Sequence, residues 1–115
     1  MGKLLQVRVM AYTVDPLKVE DAWPVLGHLA YPPGHEYAPA ARGVLELIST
    51  LHARMTAGEI PPKAAEALKP GVDEAVRLSA QLEAALAAWQ PDKARALTDR
   101  IEDALDGLEE KAGYR

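Results

Sequence analysis

The chain has 115 residues, a net charge of −4 and no cysteine. That length suits one domain able to bury a core without metal or disulfide staples. The missing thiols exclude disulfides, thiolate zinc or iron–sulfur sites and cysteine nucleophiles.

Residues 4–14 alternate. Leu5, Val7, Val9, Ala11 and Thr13 fall on one face, and Gln6, Arg8, Met10 and Tyr12 on the other, which predicts a β-strand. Asp15-Pro16 supplies an N-cap and a first-turn proline for a helix over 16–30, and Pro24 inside it predicts a kink or break near Trp23. Tyr31-Pro-Pro-Gly-His-Glu reads as a loop. A second helix is expected over 38–57, with Ala41, Val44, Ile48, Leu51 and Met55 as its apolar stripe, Leu45 and Leu47 beside it and Gly58 ending it. A short helix over 63–68 should stop at a Pro70-Gly71 break.

The last two helices, 72–89 and 92–112, carry apolar residues at alternating spacings of three and four. Val72, Ala75, Ser79, Leu82, Leu86 and Trp89 line the first; Ala94, Leu97, Ile101, Ala104 and Leu108 line the second. Only Gln90-Pro91 separates them, and so short a connection makes neighbouring helices antiparallel. The fold class expected is mostly α: one domain over 1–115, a small helical bundle with a C-terminal antiparallel αα-hairpin and one N-terminal β-strand.

Charge is unevenly spread. Residues 1–58 hold five basic and five acidic side chains, whereas 59–115 hold eight and twelve, so the second half carries the whole excess. No basic stripe is available to displace counterions from phosphate, so no nucleic-acid partner is expected. No run approaches the ~18 apolar residues of a membrane span. Arg8 interrupts the apolar start that a signal peptide needs. A cytoplasmic protein of bacterial type, without a membrane partner, is expected.

Several groups could carry chemistry. His28, His35, Glu36 and His52 are of types that bind zinc, nickel or iron if they converge, yet their spacing matches no ligand motif. The bland expectation is surface positions for His28 and His35 and a half-buried His52. Ser49 stands three residues before His52 without a third group to orient the imidazole. Asp99, Glu102, Asp103, Asp106 and Glu110 form an acidic stripe on the last helix. Their repulsions cost a helix about 0.2–0.5 kcal/mol per pair, so the stripe is a solvated face, a surface for a basic partner or a cation site. Helical magnesium enzymes use such carboxylates on two facing helices; here Asp73-Glu74 face the stripe, with Arg77 where a third carboxylate would help. Trp23 and Trp89, with Tyr12, Tyr31 and Tyr37, are core fillers or the lining of a pocket.

The sequence therefore reads as a non-enzymatic protein-interaction or oligomerisation module, with no cofactor. Residues 4–14 expose strand edges that need partners, and a second copy or a different protein would supply them. A homodimer strand through Leu5, Val7, Val9 and Ala11 is expected. The alternative is a small metal-binding protein or metal-dependent enzyme using the histidines or the acidic stripe.

Overall fold

The computed structural model describes residues 16–31 and 43–113. Five helices follow in order: α1 (Pro16–Ala22), α2 (Pro24–Ala30), α3 (Val44–Thr56), α4 (Pro62–Ala87) and α5 (Pro91–Gly113). The chain is thus mostly helical, with no strand among the described residues. The expected strand over 4–14, the start of the expected 38–57 helix, His35 and Glu36 lie outside them.

The expected break falls at Trp23, which Pro24 holds out of the helical region at φ −132° and ψ 67°. Its N–H still donates to the Val19 carbonyl at 3.0 Å, and its own carbonyl accepts from Gly27 N–H at 2.9 Å. Trp23 therefore ends one helix and begins the next. On α3 the buried residues are Leu47, Ile48 and Leu51, while Val44 and Met55 are half-buried, so the stripe is turned slightly from the expected one. Gly58 ends α3 as expected, at φ +73°. Gly58 N–H donates to Met55 and Glu59 N–H to Arg54, closing the paired pattern of a Schellman turn.

The expected break at Pro70-Gly71 does not occur. A single helix runs from Pro62 to Ala87, replacing the expected pieces 63–68 and 72–89. Pro70 lacks the N–H that would bond the Glu66 carbonyl, but both residues are exposed, so water can serve that carbonyl. Gly71 is half-buried, and a Cβ there would collide with the Leu108 side chain of α5. The glycine permits close helix packing rather than a turn.

Helices α4 and α5 pack along each other as an antiparallel hairpin joined by Ala88, Trp89 and Gln90. Their seams are Leu68, Val72, Ala75, Leu78, Leu82 and Ala85 against Ala94, Leu97, Ile101, Leu105 and Leu108. Four expected seam residues move off it. Ser79 and Leu86 are half-buried and Trp89 is exposed, while Leu105 replaces Ala104 at the centre of α5. The register set by Gly71 and Leu108 puts Ala85 level with Ala94 and Leu82 with Leu97. Small residues thus lie at the turn and large ones further down.

Helix α3 packs on α4, and α2 packs on both α3 and α5. One apolar core joins all of them, with no buried polar or charged residue among those described. With 13 residues against 26, α3 spans about 20 Å and α4 about 39 Å. The hairpin accordingly projects beyond α3, which leads into α4 at its Pro62 end.

Candidate functional site

The histidines do not build a site among the described residues. His28 on α2 and His52 on α3 are both exposed, so His52 is not half-buried as expected. Ser49 Oγ donates to the Glu46 carbonyl at 3.2 Å within its own helix. No group of three His, Asp or Glu among the described residues is placed to hold a metal ion.

The two adjacent α4 carboxylates expected to face the acidic stripe, Asp73 and Glu74, are engaged with cations. Lys69 Nζ donates to Asp73 at 3.1 Å. Arg77 Nε donates to Glu74 at 2.9 Å, and Arg100 of α5 reaches within 4.0 Å of the same carboxylate. The Arg77 hydrogen bond, aided by the charges of Arg77 and Arg100, holds the Glu74 carboxyl below its usual range. The same contact raises Arg77. Arg77 thus occupies, as a partner of Glu74, the place where a third metal-binding carboxylate would have stood.

All five residues of the acidic stripe are exposed. One of them makes a long-range contact, since Asp106 Oδ1 accepts the indole N–H of Trp23 at 2.8 Å. The more telling carboxylate is one the sequence pattern passed over. Glu109 accepts the backbone N–H of Val25 at 3.1 Å and of Leu26 at 2.9 Å. It caps α2 from a distant helix, because Trp23 at the N-cap position has no side-chain oxygen to do so. Its spacing of three from Asp106 was the available signal.

The two tryptophans do not share a pocket. Trp23 is buried at the base of the bundle beside Asp106, and Tyr31 is buried too. Trp89 stands at the turn, just before the start of α5, which lies about 22 Å along that helix from Asp106. Tyr12 and Tyr37 lie outside the described residues. Among those described, Trp89 is the only large apolar side chain left exposed, at 54 %.

Its backbone is as unusual as its exposure. Trp89 has φ +57°, the only positive φ at a non-glycine position described. Its N–H donates to Leu86 at 3.1 Å and Gln90 N–H donates to Ala85 at 2.9 Å. This is the Schellman turn that Gly58 makes after α3, with a tryptophan in the glycine position. A bulky residue there is strained by about 1–3 kcal/mol. The exposed alanines Ala84, Ala87 and Ala88 and the exposed Pro91 surround it in sequence.

No helix among the described residues is long and apolar enough to cross a membrane. No protein-family model matches the chain, and no match is found among curated proteins or solved structures.

Proposed function

We propose that this chain is a protein-interaction module that docks through the tip of its α4–α5 hairpin, with Trp89 as the anchor. The observation that supports the reading is a tryptophan that is exposed and strained at once. Folding alone favours neither feature: burial would remove the apolar ring from water, and glycine would relieve the backbone. Tryptophan is also the residue type most enriched among side chains that dominate interface energies. The projecting hairpin carries that ring away from the rest of the bundle, where a partner can close around it.

Photo-crosslinking tests the reading. Benzoylphenylalanine at position 89 should give a discrete adduct in cells, whereas the same probe at exposed Glu66, on the other end of α4, should not. Absence of any adduct from position 89 overturns the proposal. An adduct of twice the chain mass identifies a second copy as the partner.

A second reading keeps the homodimer through residues 4–14, supported by the alternation of Leu5, Val7, Val9 and Ala11. Light scattering separates the two. Val9→Pro removes a ladder donor and should dissociate a strand-mediated dimer, while Trp89→Gly should leave that dimer intact.

A further inference from the structure

We propose that α1 and α2 form a strap, clasped to α5 by Asp106 and Glu109, which opens as a unit while the α4–α5 hairpin stays folded. The inference is independent of the role given to Trp89. It starts from the two carboxylates, which stand three apart on α5 and therefore on one face. Both reach the same elbow: Asp106 holds the Trp23 indole at 2.8 Å, and Glu109 holds the N–H groups of Val25 and Leu26 at 3.1 and 2.9 Å. These two amides are the first in α2 that can donate, since Pro24 has no N–H. A residue more than eighty positions away completes the end of this helix.

The lengths of the elements say which part depends on which. Helices α1 and α2 have seven residues each, well below the ~12–15 at which even a good isolated helix is marginal in water. They hold their shape because they are docked. The hairpin helices have 26 and 23 residues and share a seam from the turn to Leu108. That seam survives removal of the strap.

The polar contacts also suit repeated opening. Asp106 is exposed and Glu109 half-buried, so both carboxylates rehydrate without leaving a charge stranded in the core. The resisting term is apolar, chiefly Trp23, Leu26 and Ala30. Opening uncovers that face together with the parts of α3 and α5 on which α2 packs. Short docked elements held by few groups are the ones that open below the global unfolding free energy.

Native-state hydrogen exchange, resolved by residue, tests this. In the unaltered protein the Trp23 indole and the amides of Gly27, Ala30 and Tyr31 should exchange at least about tenfold faster than those of Leu78, Leu82 and Ile101. Glu109→Gln removes the charge but leaves one acceptor oxygen, so the chain still folds. It should speed the first set by roughly another tenfold and leave the hairpin amides unchanged. Glu110→Gln removes the same charge one residue along and should change neither set. Equal acceleration of both sets by Glu109→Gln would show one cooperative unit and overturn the proposal. So would no acceleration at all, or the same effect from Glu110→Gln.

Discussion

Two helix ends in this protein share one geometry and differ in one residue. Gly58 and Trp89 both sit in the left-handed region, at φ +73° and +57°, and both close Schellman turns. Glycine takes that conformation without strain and tryptophan does not. Trp89→Gly should therefore raise stability by about 1 kcal/mol, seen as a melting temperature several degrees higher. The opposite outcome, a clear loss, would mean that the indole packs on the turn more than its 54 % exposure indicates. Gly71 is the converse case. A helix interior ordinarily gains about 1 kcal/mol from Gly→Ala. Here the added methyl would meet Leu108, which is buried to 2 % exposure and has little room to move. Gly71→Ala should lower stability by about 1–3 kcal/mol in a urea titration, the overpacking term outweighing the propensity gain.

At the level of elements, α4 shows how a sequence signal of breakage is overridden. Proline forfeits one helix bond and crowds the preceding turn, a loss of ~3 kcal/mol in a helix interior. Pro70 faces solvent, so its missing bond leaves the Glu66 carbonyl to water rather than orphaned in the core. Packing of Leu68 and Val72 on either side then carries the helix through. Pro70→Ala should restore the bond and raise stability by about 1–2 kcal/mol, while Leu97→Pro, on the buried seam of α5, should cost about 3 kcal/mol or more. Circular-dichroism melts distinguish the signs. The seam itself is tested by a pair of truncations. Leu82→Ala should cost about 2–5 kcal/mol, because Leu82 is 2 % exposed, and Leu86→Ala distinctly less, because Leu86 is half-buried. Equal losses would place both leucines in the seam and contradict the register of the hairpin.

For the molecule as a whole, charge and shape run in different directions along the hairpin. Between Ala80 and Arg100 the acidic Glu83, Asp92 and Asp99 are balanced by Lys93, Arg95 and Arg100. The remaining part of α5 is acidic: Glu102, Asp103, Asp106, Glu109 and Glu110 with only Lys111 against them. The tip is thus neutral and the base negative. Of the base carboxylates, Asp106 and Glu109 hold the α1–α2 elbow. Asp103 is exposed, and it adds to the repulsion along the helix. Asp103→Lys should leave stability unchanged or raise it slightly at low salt, with the gain fading as salt rises. A marked loss in the same melts would show that the Asp103 carboxylate binds a cationic group or ion.

The sequence by itself determined what is local. Periodicity marked the helical segments though not the continuity of α4, Pro24 placed the break at Trp23, Gly58 marked the end of α3, and the short Gln90-Pro91 connection dictated an antiparallel hairpin. Each follows from backbone sterics or from a spacing within one element. The tertiary structure alone decided which of two adjacent stripes faces inward. The change from Ser79 and Leu86 to Leu78 and Ala85 is a small rotation of α4, and the position of its neighbours sets it. Tertiary packing also decided that Pro70-Gly71 is a place of close approach rather than a stop, because that depends on Leu108, far along the chain. For the same reason Glu109 was not legible as a cap: it serves a helix more than eighty residues away. Trp89 looked like core by composition, since large aromatic residues usually are. It lies at the hairpin's end, beyond the helices that would have covered it, and geometry rather than hydrophobicity left it exposed.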